Sequence, residues 1–169
     1  NYDNVHISRC EEIPDFPLYI DQVVSIIEKS LSFLKNDNDA IITKTMINNY
    51  AKNNLLPPPS KKKYSKEHVL TLLFIYYFKN ILSINDIHSI LNPLTEKYFG
   101  NTDGFSMVDI YNEVFGLEAE ESKKLMKDLG KKYNLAKDTF NDFPEEDQKF
   151  LHTFSFICML SFDVYIKKM

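Results

Sequence analysis

Glycine is scarce in this chain of 169 residues: there are four, and there is no tryptophan. That scarcity disfavours β-barrels. It also fits the absence of G-x-x-x-x-G-K-[ST], G-x-G-x-x-G and G-x-S-x-G, the loops that cradle phosphates or present a nucleophilic serine. Cysteine is scarcer still. Cys10 and Cys158 stand far apart, and neither has a companion at metal-ligand spacing. Two isolated thiols point to unpaired side chains in a reducing, cytoplasmic setting. Of the four histidines, His6, His68, His88 and His152, none sits in H-E-x-x-H and no two form an i, i+4 pair. His68 and His88 fall on neighbouring predicted helices, where a structural role is the simpler expectation. No catalytic constellation, metal site or cofactor is therefore expected. The chain opens at Asn1 without a Met, which suggests that a few residues precede it, and no signal-peptide pattern follows.

Arginine is almost lacking: Arg9 stands alone beside nineteen lysines. Codon bias in an AT-rich genome accounts for this. Its physical consequence is that bidentate arginine contacts to guanine or phosphate are nearly unavailable. What the chain does have is apolar bulk, 44% hydrophobic with thirteen Phe and ten Tyr, enough for a real core. Its net charge of −4 conceals a segregation. Residues 1–42 and 81–169 are each acidic on balance, while residues 43–80 hold seven lysines against Glu67 alone. A basic island between acidic flanks implies a local anionic partner, or else a solvated lysine-rich loop.

Apolar residues recur at helical spacing almost throughout. Ile20, Val23, Val24, Ile27, Leu31 and Leu34 define a first helix, ended by K-N-D-N-D at 35–39. Thr43 is a good N-cap for a second, with Ile47, Tyr50 and Ala51 facing inward and Asn53-Asn54 as its stop. Pro57-Pro58-Pro59 cannot be helical interior, and Ser60 to Tyr64 is a short basic turn. Ser65, Ser83 and Ser106 cap further helices, the second of which Pro93 is expected to end. Glu118 to about Tyr133 reads as a charged helix with acids first and lysines last. From Pro144 a final helix runs to the end, apolar on nearly every side from Phe150 to Ile166. It is short and impure for a membrane span, so it is expected as a central core helix or a subunit interface.

Residues 43–91 carry the one mechanism visible in the sequence. A short helix with a polar face, a basic turn and two supporting helices are what a winged helix-turn-helix reader needs, because the wing meets phosphates. M-I-N-N-Y-A-K-N-N-L-L-P-P-P, K-K-K-Y-S and L-S-I-N-D-I-H-S-I-L resemble the MerR family of winged-helix regulators. That family reads T-L-R-Y-Y-E-R-x-G-L-L-x-P, then a basic wing ending in Tyr. On this register Asn48 stands where the family has its reading Arg, Tyr50 matches the second Tyr, and Asn54 replaces the turn Gly. Leu55-Leu56-Pro57 and Tyr64 also match. The stretch from Leu18 to about Leu94 is similar to an uncharacterised bacterial family of low-GC Gram-positive organisms with MerR-like character, through L-Y-I-D-Q-V-V, T-K-T-M-I-N-N-Y and K-K-K-Y-S-K-E-H.

The repeated apolar spacing and the caps predict an all-α fold of six or seven helices, and the resemblance implies its form: a MerR-like winged helix-turn-helix followed by a helical C-terminal bundle. Residues 1–40 would form an arm and support helix, 41–94 the reader, and 95–169 a regulatory or dimerisation region. The wing, at 56–64, would have at most two strands. The expected function is transcriptional regulation by binding duplex DNA, AT-containing because the reader lacks arginine. Lys44, Thr45, Asn48, Asn49, Lys52, Lys61, Lys62, Lys63 and Tyr64 are the expected contacts. A homodimer is expected, since such readers act on two half-sites. A protein-interaction module that keeps the shape without binding DNA is the alternative, and a ligand-binding or enzymatic bundle ranks last.

Overall fold

A computed structural model describes residues 8–32 and 40–169. His6, Leu34 and the expected loop at 35–39 lie outside the described residues. Among the described residues seven helices follow a 3-10 turn at Cys10–Glu12: α1 (Ile20–Ser30), α2 (Lys44–Lys52), α3 (Lys66–Lys79), α4 (Ile84–Tyr98), α5 (Met107–Gly116), α6 (Glu118–Lys137) and α7 (Glu145–Lys168). The protein is predominantly helical, and the described residues contain no strand beyond two isolated bridges. It divides into two compact units, one ending at Leu117 and one beginning at Glu118.

The first unit is built around α3. His68 to Ile75 are buried on every side of that helix. Thr71 avoids an unpaired hydroxyl there by donating back to the Glu67 carbonyl at 2.8 Å. α1, α4 and α5 pack around α3. They contribute Val23 and Ile27, Ile87 and Leu91, and Met107 and Tyr111 to one core. The Tyr111 hydroxyl, buried, donates to the Ser8 carbonyl at 2.8 Å. Glu67, the one acid of the basic island, is committed to structure. Its carboxylate accepts from the Gly100 amide at 2.6 Å and from Met107, the first residue of α5, at 3.3 Å.

The expected caps are present. Thr43, Ser83 and Ser106 each accept a backbone amide three residues on, at 3.2, 3.2 and 3.4 Å. Ser65 closes a capping box of unusual composition, its amide donating to Nδ1 of His68 at 2.9 Å. Burial holds the His68 pKa below the ordinary imidazole value of 6.5. An unfolded chain therefore takes up a proton near pH 6.5 that the folded chain refuses. Stability is expected to fall as pH drops from 6.5 toward the folded pKa, and to be insensitive to this group above 6.5. His68→Gln keeps an acceptor and should flatten that part of a melting-temperature profile.

Two expectations are corrected. Pro93 does not end α4, which continues to Tyr98. The lost amide bond and the ring clash cost about 3 kcal/mol in a helix interior. Leu94 and Tyr98 offset this by packing on the core beyond the proline. Thr95 stitches the turn as well, its hydroxyl 3.1 Å from both the Leu91 and Asn92 carbonyls. The helix apolar on all sides and buried is α3, not α7. In the second unit α7 packs against α6, and none of its residues is buried. Two helices provide no third layer to cover it.

The hairpin of α6 and α7 is clasped by polar contacts. His152 Nε2 donates to the Thr139 carbonyl at 2.9 Å. Asp163 lies 3.5 Å from Lys132 and 2.9 Å from Lys167, and the Tyr133 and Phe156 rings meet edge to face at 5.7 Å. Cys10 is buried and Cys158 exposed, both as free thiols.

Candidate nucleic-acid interface

α2 is short because both of its ends are fixed by sequence. Thr43 caps the start. At the end, Asn54 takes a left-handed φ of 57°. The Leu55 amide then reaches back to the Tyr50 carbonyl at 2.9 Å and the Asn54 amide to Ala51 at 3.2 Å, the paired bonds of a Schellman stop. Ile47 is fully buried beneath the helix, and Leu55 and Leu56 are buried just after it. Lys44, Thr45, Asn48, Asn49 and Lys52 are all exposed on the opposite face. At 3.6 residues per turn, Lys44, Asn48 and Lys52 form one stripe, with Thr45 and Asn49 beside it.

The basic turn has a specific geometry. The Lys63 amide donates to the Ser60 carbonyl at 2.9 Å, and the two central residues, Lys61 and Lys62, have φ of 48° and 62°. Positive φ at both positions makes this a type I′ turn, which ordinarily takes Asn-Gly or Asp-Gly. All three lysines are exposed. Lys61 and Lys62 have no partner among the described residues, while the Lys63 ammonium lies 5.3 Å over the Tyr19 ring. Beyond the turn, Tyr64 exchanges both backbone bonds with Leu18, each at 2.8 Å. The expected wing is thus a single tight turn held by two isolated bridges.

Tyr64 departs from the expectation that it contacts DNA. Its ring is 3% exposed and lies edge to face on His68 at 5.3 Å. It anchors the turn from inside. His88 instead lines a cleft of about 410 Å³ with Asn54, Pro58, Asn92 and Glu96.

α2 and the turn converge on the start of α1. Lys44 forms an ion pair with Asp21, and Lys63 covers Tyr19. Asp21 in the first turn of α1 and Tyr19, its N-cap, belong to the surface and are not foreseen from the sequence. They lie 23 and 44 positions from their partners, with no local signal to join them. The remaining lysines of the island are occupied. Lys66 pairs with Asp15 at 2.6 Å. Lys79 donates to the Ile41 carbonyl at 3.2 Å and lies over Tyr76, and burial lowers its pKa. Free positive charge is therefore concentrated at Lys52, Lys61 and Lys62, with Lys63 beside them. Among the described residues no group of three His, Cys, Asp or Glu side chains is placed to hold a metal ion.

A family model, the domain of unknown function DUF1836, matches residues 8–114. The chain belongs to that family. No curated protein and no solved structure matches the chain. The DUF1836 match ends inside α5, so it covers nearly all of the described first unit, including α2 and its lysine turn, and leaves α6 and α7 outside.

Proposed function

We propose that the DUF1836 unit binds duplex DNA through the exposed face of α2 and the Lys61–Lys63 turn, and that the protein is a cytoplasmic transcriptional regulator of the MerR-like winged-helix kind. The observation that carries this reading is the turn. A left-handed conformation costs a residue with a side chain roughly 1–2 kcal/mol, and here two consecutive lysines adopt it. Folding alone would favour Asn-Gly. Charge kept at a strained position, exposed and unpartnered, is best explained by an anionic ligand, because strain accumulates where function requires it. Lysines placed as point charges suit phosphates.

Asn48 lies centrally in the α2 stripe, where an amide can pair bidentately with adenine, worth roughly 1–3 kcal/mol of discrimination. With no arginine on this surface, the preferred sites should contain AT pairs. Lys61→Ala, Lys62→Ala and Lys63→Ala together are expected to weaken binding to every sequence. Asn48→Ala is expected to relax preference at one base position and leave overall salt dependence unchanged. Affinity measured on a panel of duplexes differing at single positions checks both. Equal effects of the two variants on all duplexes would contradict the division of labour.

One observation favours the protein-interaction alternative: Asp21 neutralises Lys44 and adds a carboxylate to the same surface. Asp21→Asn separates the readings. It should strengthen DNA binding several-fold if Lys44 faces phosphates, whereas a surface that meets a protein should bind no duplex in either form.

A further inference from the structure

The cleft beside His88 lies between the exit of α2 and one face of α4, and its volume of about 410 Å³ falls in the range of small-molecule sites. His88, Asn92 and Glu96 follow one another at intervals of four along α4, which places them in one stripe. Asn54, Pro58 and Phe99 face that stripe or close its end. The chemistry of the lining is one-sided. Asn92 donates its Nδ2 to Glu96 Oε1 at 2.7 Å, which leaves Asn92 Oδ1 and the second Glu96 oxygen as acceptors. Thr95, also in the lining, spends its hydroxyl hydrogen on the backbone of α4. None of the described lining residues is Lys or Arg, and Lys97 lies instead over the Tyr98 ring at 5.1 Å. The C-terminal ends of α2 and α4 both reach the cleft, at Asn54 and Phe99, and each adds partial negative charge. A carboxylate, two helix C-termini and a set of acceptors together call for a cation rich in N–H groups.

We infer that this cleft binds a guanidinium cation. The Glu96 carboxylate takes two parallel N–H groups, the arrangement that guanidinium and carboxylate favour. Asn92 Oδ1 accepts from the same plane of donors. The flat cation also stacks on Phe99, whose ring is held in place by the buried His68 at 4.7 Å. An alkylammonium is a poorer fit, because it is compact and strongly hydrated and presents no planar fork of donors. A neutral urea has the shape and lacks the charge. The guanidinium group belongs either to a free small molecule or to an arginine side chain of a peptide, and the chemistry of the cleft is the same for both. The site does not rest on the DNA reading and is tested without DNA.

Butylguanidinium titrated into the isotope-labelled full chain should shift the side-chain amide resonances of Asn54 and Asn92. The shifts should saturate with a dissociation constant of about 0.1–1 mM, the affinity expected of so few atoms. Butylurea and butylammonium should each bind about 10-fold more weakly or worse. Glu96→Gln keeps the side-chain length and an oxygen for Asn92, so the melting temperature should hold while the affinity falls about 10-fold or more. Phe99→Leu should weaken binding several-fold. The peptide acetyl-Gly-Arg-Gly-amide reads the source. Tighter binding than butylguanidinium assigns the cleft to an arginine side chain, and weaker binding assigns it to a free small molecule; both uphold the guanidinium site. Asn54 and Asn92 resonances that stay put would overturn it. So would equal binding of butylurea or butylammonium, or an affinity that survives Glu96→Gln. The urea and ammonium comparisons use the unaltered chain, so they decide the matter even where a variant does not fold.

Discussion

Replacing Lys61 with Asn and Lys62 with Gly is expected to make the protein more stable and a poorer DNA binder at once. The two lysines hold φ of 48° and 62° in a type I′ turn. Asn tolerates that conformation better than Lys, and Gly adopts it without a steric penalty. The folded state should gain about 1–2 kcal/mol, seen as a higher denaturation midpoint with an unchanged slope. The same change removes two phosphate contacts. Each contributes about −0.9 to the slope of log K against log salt, so at 0.1 M salt the loss should be roughly 60-fold. Opposite signs are the point of the experiment. A turn kept only for folding would gain stability and lose nothing, whereas a merely disrupted fold would lose both.

Ile47→Ala should fail in the reverse way. Ile47 is fully buried on the inner side of α2, opposite the exposed face. Truncating a buried isoleucine costs about 2–5 kcal/mol through lost transfer energy and the cavity left behind. For a unit of this size that lowers the melting temperature by more than about 10 °C. Well below the new midpoint, the ranking of DNA sequences should be unchanged. Thermal melts and a duplex panel at low temperature check the two halves. A variant that keeps its melting temperature would show that α2 is not supported as described, and an altered ranking would show that Ile47 acts in recognition.

Local chemistry was legible in the sequence. Thr43, Ser83 and Ser106 cap where a hydroxyl three residues ahead of a backbone amide must cap, and Asn54 stops α2 because Asn accepts positive φ. The exposed face of α2 followed from the period of its apolar residues. Tertiary choices were less legible. α3 and α7 are both apolar around the helix, and only the number of surrounding elements decides that Leu70 is buried while Phe150 is not. Pro93 reads as a stop until Leu94 and Tyr98 are seen on the core. Tyr64 matches the wing Tyr of the family the chain resembles, which places it among the expected contacts, yet pairing with Leu18 goes with a ring turned inward. A type I′ turn built from Lys-Lys gives no warning, since its usual signature is Asn-Gly. The Asp21 carboxylate on Lys44 is a contact between two helices that sequence spacing does not encode.

The central claim is that this surface engages DNA phosphates, and the salt dependence of duplex binding tests it most directly. Lys44 is paired with Asp21, which leaves Lys52, Lys61, Lys62 and Lys63 for phosphates. Fluorescence anisotropy of a labelled AT-containing duplex, titrated with the full chain from about 50 to 200 mM salt, should give a log–log slope of roughly −3 to −4 per subunit. No measurable binding at about 50 mM salt, or an affinity unmoved by salt, would contradict the account and leave the surface to a protein partner.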